Sequence, residues 1–391
     1  MEAGSIIFQF FLIFSGAAVF ASIALYTRQP LIIAYIGIGA VLGPYGLSMV
    51  KDLGLLSQIG QIGIIFLLFL LGLDMQPRAL WSTLRKSTIV AIFSSLIFLL
   101  MGFLVPYLFG FNAMDSLVVG AAMMFSSTII GIKLLPTTVL HHRHIGELMI
   151  GMLLLQDLLA ILVLMVLYSA PGSGSEGIGT HLGLSLLSLP LLVGAALLMV
   201  RFVLLPLITR FDRFHEYIFL LAIGWCLGLA ETASALGLSE EIGAFIAGIT
   251  IATSPISQYI AVNLKPLRDF FLILFFFAVG AQFNTGALGS VIIPAIVLAA
   301  LVLVMKPVVY RYLLKGVSEK RSLAWDLGFR LGQASEFSLL IAYVAAGSAL
   351  ITEEASLLIQ ATTIITLLVS SYIVVMKYPN PIAISDKLRR D

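Results

Sequence analysis

The sequence predicts an all-α, polytopic membrane protein of about thirteen transmembrane helices, and three observations predict it. Sixty per cent of the 391 residues are hydrophobic and only 11% are charged, whereas a soluble domain carries roughly a quarter charged residues. Apolar stretches of the roughly 20 residues that a bilayer-crossing helix needs recur along almost the whole chain. The basic residues segregate to alternate connections between those stretches, as Lys and Arg do when they collect on cytoplasmic loops.

The elements follow in order. Stretch 5–26 is long enough to cross the bilayer and lacks both a basic start and a small-residue cleavage site, so it reads as the first helix rather than a removable signal. Stretches 31–49 and 55–73 come next. A triplet, 88–109, 116–135 and 147–168, leads to a Gly- and Ser-rich outer loop from Ser169 to Thr180. Then come 182–205, 217–237, the short 240–253 and 267–283, with Gly224 and Gly228 offering a small-residue face for helix contacts. A last triplet, 289–312, 323–349 and 355–376, precedes a polar tail, 377–391.

With the N-terminus outside, the inner connections and the tail hold 19 of the 22 basic residues: Arg28, Arg78, Arg85, Lys86, Lys133, Arg143, Arg201, Arg210, Arg213, Lys265, Arg268, Arg311, Lys315, Lys320, Arg321, Lys377, Lys387, Arg389 and Arg390. Lys51 alone lies outside, and Lys306 and Arg330 fall within spans. An error of one span would scramble this separation. The net charge of +2 therefore reflects membrane orientation, not a nucleic-acid surface.

Composition excludes several function classes. The single cysteine, Cys226, supports neither a disulfide framework nor a thiolate metal site. No phosphate-binding loop occurs, which argues against an ATP-driven pump. His141, His142, His144, His181 and His215 lie in or near loops, not paired across helices for haem. An enzyme is not expected, nor a cofactor held by this chain.

Ionisable groups at the bilayer centre are costly and mark ion pathways. Asp157 sits about halfway along 147–168 with no basic residue within one turn. Such a carboxylate can hold either a proton or a metal cation; the bland alternative is a protonated Asp that bonds a neighbouring helix. Ser126, Ser127 and Thr128 are successive hydroxyls inside 116–135, suited to alkali cations if the helix opens there or engaged in ordinary back-bonding if it does not. Span 323–349 carries Arg330, Gln333, Ser335 and Glu336 with Gly328 and Gly332. Arg330 and Glu336 lie six apart, off one helical face, so a break or separate partners are implied. Lys306, followed by Pro307, either serves this region or snorkels to water.

The two triplets are offset by seven spans, an odd number, so they cross the membrane in opposite directions. That is the topology of an inverted repeat, with a midplane site built from two broken helices. The middle members, 116–135 and 323–349, are the two with polar interruptions.

Pro30 to Pro44, Phe69 to Asp74, Ser126-Ser127-Thr128, Leu155-Gln156-Asp157 and Gly332-Gln333-Ala334-Ser335-Glu336-Phe337 together resemble the Kef-like branch of the second monovalent cation:proton antiporter family. The resemblance runs through essentially the whole chain. It implies a sodium/proton-antiporter-like fold with two broken crossover helices, a mobile core (88–168 and 289–376), and a dimerisation scaffold (5–73 and 182–283). It also implies a lipid-embedded homodimer in a bacterial inner membrane, N-terminus out and C-terminus cytoplasmic, working by an elevator-like motion. Asp157 matches the family's cation- and proton-binding aspartate, and Ser126 to Thr128 match the first crossover helix. Gln156 stands where sodium-exchanging relatives carry Asp or Asn and would join Ser126, Ser127 and Thr128 in supplying neutral oxygens to the cation, and Lys306 falls near a basic position facing the ion site. Arg330, Gln333, Ser335 and Glu336 would balance charge or shape the second crossover. The expected activity is exchange of potassium for protons, with sodium/proton exchange or a gated potassium efflux channel as alternatives. Kef proteins usually continue into a cytoplasmic nucleotide-binding regulatory domain. No such segment follows 376 here, so that domain is absent from this sequence or supplied by a separate subunit.

Overall fold

The structure, a computed structural model, describes residues 6–379 apart from 28, 30, 51–52, 75–76, 128–130, 132–143, 170–177, 212, 237, 239, 253, 255, 285 and 317–318. Some side chains within helices, that of Asp157 among them, also lie outside the described set. Among the described residues every regular element is helical.

Among the described residues, six stretches are long and apolar enough to cross a membrane: Ile6–Tyr26, Thr88–Leu108, Ser188–Arg210, His215–Ala235, Leu288–Gly316 and Glu353–Lys377. The protein is a multi-pass membrane protein, and its chain clusters into two compact units.

The first unit comprises 1–51, 82–164 and 279–391. It holds α1 (Ile6–Tyr26), α2 (Leu31–Leu42), most of α4 (Pro77–Leu108), α5 (Ala113–Met123), most of α6 (His144–Ser169), α12 (Leu288–Gly316), α13 (Arg321–Arg330), α14 (Glu336–Gly347) and α15 (Glu353–Lys377). The sequence predicts a second span to residue 49, but α2 stops at Leu42. Gly43-Pro44 turns the chain there, because proline disfavours a helical residue before it. A core joins α4, α6, α12 and α13 through Phe98, Met149, Met152, Tyr310, Leu327 and Leu331. Within its most apolar window α15 is 61% buried, against 17% for α1, so α15 is central and α1 peripheral.

Helix ends in this unit are set by side chains. Asn112 caps α5 by accepting from the Asp115 amide at 2.7 Å, and Thr352 caps α15 by accepting from the Ala355 amide at 3.2 Å. Asp115 then links the two caps, accepting from the Thr352 amide at 2.9 Å and from its hydroxyl at 2.8 Å. A buried carboxylate is tolerated because both its oxygens are bonded.

The second unit comprises 52–81 and 165–278. It contains α3 (Leu53–Asp74), α7 (Ile178–Met199), a π-helical turn (Val200–Leu204), α8 (Leu205–Arg210), α9 (His215–Ala235), α10 (Glu240–Ala252) and most of α11 (Ile256–Ala281). Helices α3 and α10 cross backbone to backbone. A Cβ built on Gly248 would lie 2.1 Å from the Phe69 carbonyl oxygen, so only glycine fits. The sequence expectation that Gly224 and Gly228 make such contacts is not met within this chain: among the described residues, a Cβ at either would meet nothing within 4 Å. A glycine spacing on one helix does not reveal which neighbour approaches it.

Gly248→Val should therefore destabilise the protein by roughly 2 kcal/mol or more, since overpacking at a rigid backbone contact cannot relax. Gly224→Ala should be neutral or stabilising, because alanine is the better helix former. Melting curves read by size-exclusion chromatography of the detergent-solubilised protein separate the two outcomes.

Candidate functional site

Both expected interruptions lie in the first unit. Helix α5 ends at Met123, and Phe125-Ser126-Ser127 continue as buried, non-helical chain. Between α13 and α14 the segment Leu331 to Ser335 is likewise non-helical and buried. Thr128 and the rest of the predicted fifth span, apart from Gly131, lie outside the described residues. Each break frees backbone N–H and C=O groups where no bulk water is at hand, so each needs internal partners.

Lys306 supplies several of them. It is fully buried on α12, and its Nζ donates to the Phe125 carbonyl at 2.6 Å, the Gln333 carbonyl at 2.9 Å and Ser126 Oγ at 3.3 Å. The first two acceptors can only accept, and Ser126 Oγ spends its own proton on the Leu331 carbonyl at 2.8 Å. All three contacts therefore draw a proton from Nζ, and an ammonium has three to give. Phe98 lies under the charge, its ring centroid 5.1 Å from Nζ. Snorkelling is thereby excluded: this lysine joins the two breaks. Its approach depends on Gly328, where a Cβ would lie 2.9 Å from the Pro307 Cα.

Further bonds fasten the breaks. Ser338 Oγ donates to the Ala122 carbonyl at 2.6 Å, tying the start of α14 to the end of α5. Ser335 caps α14, its Oγ accepting from the Phe337 amide at 3.2 Å, and its own amide donates to Ser338 Oγ at 3.2 Å. From α15, Thr366 Oγ1 accepts from the Ala334 amide at 3.1 Å, and Ser370 Oγ donates to Gln333 Oε1 at 2.9 Å.

Gln156, fully buried on α6, accepts at Oε1 from the Ser126 amide at 3.0 Å and donates from Nε2 to the Tyr310 hydroxyl at 2.7 Å. Asp157 is the next residue of α6. Glu336 is buried at the first position of α14.

Arg330 turns elsewhere. Its Nε bonds Asp326 at 2.7 Å, its Nη2 donates to the Pro379 carbonyl at 2.8 Å, and its guanidinium sits 5.8 Å from the Tyr378 ring centroid. Burial and Asp326 push the Tyr378 hydroxyl up to about 12, so it stays protonated. Arg330 thus anchors the end of α15 to α13.

Tyr310, Thr366, Ser370 and Asp115 escaped the sequence reading. Tyr310 lies four residues after Lys306, on the same helical face, and Thr362, Thr366 and Ser370 recur every fourth residue along α15. Either spacing was a usable signal.

Residues 11–376 match the family described as the transmembrane sodium/hydrogen exchanger. K(+) efflux antiporter 6 of Arabidopsis thaliana is 28% identical, over 87% of this chain and 58% of its own length. The glutathione-regulated potassium-efflux system protein KefC of Salmonella arizonae is 28% identical, over 84% of this chain and 54% of its own. The chain thus spans little more than half the length of these relatives. The solved sodium proton antiporter MjNhaP1 of Methanocaldococcus jannaschii superposes with a TM-score of 0.72 at 18% identity, covering 92% of this chain and 94% of that one.

Lys306→Met keeps the apolar stem but removes all three donors. Leaving buried carbonyls unpaired costs about 1–3 kcal/mol each, so a clear drop in melting temperature is expected, with no change for Lys315→Met near the end of α12. Equal melting temperatures for wild type and Lys306→Met would show that the ammonium does not hold the breaks.

Proposed function

The chain belongs to the sodium/hydrogen exchanger family, and on that premise we propose that it is a secondary antiporter exchanging a monovalent cation, potassium, for protons. The observation that carries the reading is the junction of both breaks at the Lys306 ammonium, in the same packed unit as the helix bearing Gln156-Asp157, whose Gln156 accepts from the Ser126 amide of the first break. Broken helices at membrane depth are tolerated where they line a site. The potassium assignment draws on relatives named for potassium efflux.

In this reading Asp157 binds a proton or a partly dehydrated cation, never both, with the hydroxyls of Ser126, Ser127 and Thr128 as neutral oxygens. An empty, charged site crosses the hydrophobic barrier poorly, so each transit of the alternating, elevator-like cycle is tied to a load. Gln333, Ser335 and Glu336 shape the second crossover, and Arg330 fastens it to α15. A homodimer in a bacterial inner membrane, and a regulatory domain or subunit joined after the last helix, complete the proposal.

The test is reconstitution into liposomes with an internal pH dye, adding potassium, rubidium, sodium and lithium in turn. Potassium and rubidium should drive proton movement that saturates, and Asp157→Asn should abolish it, because an amide keeps the shape but cannot trade a proton for a cation. Wild-type rates in Asp157→Asn would remove Asp157 from the role. Response to sodium alone would reassign the cargo, and flux that never saturates would indicate a channel.

The stoichiometry proposed is one proton for one cation, and it rests on Gln156. Because Gln156 is neutral, Asp157 is the one titrating carboxylate on α6, and a cycle in which Lys306 and Glu336 each keep one protonation state moves no net charge. Liposomes clamped at several potentials should reach zero proton flux at the same gradient ratio; a ratio that shifts with voltage would show a second titrating group.

A further inference from the structure

The Phe125–Ser126 peptide unit is gripped at both ends by residues that lead back to one face of α12. Its carbonyl accepts from Lys306 at 2.6 Å, and its N–H donates to Gln156 at 3.0 Å, which in turn donates to Tyr310 at 2.7 Å. Lys306 and Tyr310 are four residues apart, so they project from the same side of α12. Phe98 supports both, with its ring 5.4 Å from that of Tyr310 at 76° and its face 5.1 Å from the Lys306 ammonium.

Chemistry fixes the direction of the Gln156 amide. A backbone N–H can only donate, so the atom facing Ser126 must be Oε1, and the Tyr310 hydroxyl must receive Nε2. Gln156 and Tyr310 are fully buried, where each lost bond leaves a polar group stranded.

We propose that Tyr310 and Gln156 form a bracket that locks the Phe125–Ser126 peptide, so that Gln156 governs cation selection by positioning the first break rather than by ligating the ion. The inference rests on the exchange reading above and deepens it. With the peptide locked, the Phe125 carbonyl stays committed to Lys306, and the oxygens left to the cation are those beyond it. A released peptide can rotate, and its carbonyl then becomes an additional ligand of different geometry, which alters affinity and the preference among cations. Tyr310 touches no transported ion and is a positioning residue.

The experiment is a double-mutant cycle with Tyr310→Phe, which removes only the hydroxyl, and Gln156→Met, which keeps the side-chain length without either polar atom. In liposomes each variant should raise the apparent KM for potassium by about three- to tenfold, the loss expected of one buried hydrogen bond, and shift the potassium-to-sodium preference. The double variant should be no worse than the weaker single variant, because both break the same bracket. An unchanged preference in Tyr310→Phe, or effects that multiply, would overturn the bracket and return Gln156 to a ligand acting alone. The same cycle read in melting temperature separates this inference from the function it rests on. If wild-type protein exchanges no cation at all, exchange fails as a reading, yet coupled losses in melting temperature still uphold the bracket and additive losses still sink it.

Discussion

The first unit depends on the pairing of backbone groups freed at two chain breaks that no bulk water reaches. Leaving a helix inside a membrane exposes N–H and C=O groups that the surroundings cannot satisfy. Here the two breaks solve the problem largely for each other. The Lys306 ammonium spans the Phe125 and Gln333 carbonyls, Ser126 reaches across to the Leu331 carbonyl, and Ser338 reaches back to the Ala122 carbonyl. Neither break is complete without the other, which makes their meeting point a consequence of hydrogen-bond demand rather than of apolar packing alone.

Helix α15 extends the same logic over its whole length. At its first residues Thr352 is held by Asp115 of α5, in its middle Thr366 and Ser370 serve the second break, and past its end the Pro379 carbonyl takes Arg330 of α13. Both interrupted segments are thus fastened to one helix. That fits its high burial, since a helix with polar fastenings along its length cannot turn those faces to lipid.

Much of the fold was legible because a membrane demands long apolar runs, and the runs are visible as such. The site was legible where polarity stood out against that background: Ser126, Lys306, Gln333, Ser335 and Glu336 are conspicuous in apolar segments, and the glycines around them announce a break. Tyr310 was legible only through its spacing from Lys306, because an aromatic residue in an apolar helix otherwise reads as core until its hydroxyl is seen with a partner. Asp115 reads as a loop acid from sequence, since its partner Thr352 lies 237 residues away. Arg330 was visible as a membrane charge, but its partners were not. Asp326 is a local i, i+4 neighbour, whereas the Pro379 carbonyl is backbone and carries no sequence signal. Gly224 and Gly228 misled for the converse reason, because a glycine face matters only if another helix comes to it.

The Phe125–Ser126 peptide is held in place by a neutral residue, Gln156. An acid at position 156 would bring a second charge beside Asp157. A glutamine brings none, yet its amide is bipolar and can satisfy a donor and an acceptor at once, which neither a carboxylate nor a hydrophobe of that length does in the same way. Placed between the Ser126 N–H and the Tyr310 hydroxyl, it uses both ends. The exchange of acid for amide therefore changes two properties together: the charge available to the carrier and the freedom of the peptide that shapes its surroundings. On the bracket proposal, selectivity among monovalent cations, which differ by fractions of an ångström, draws on the second as well as the first.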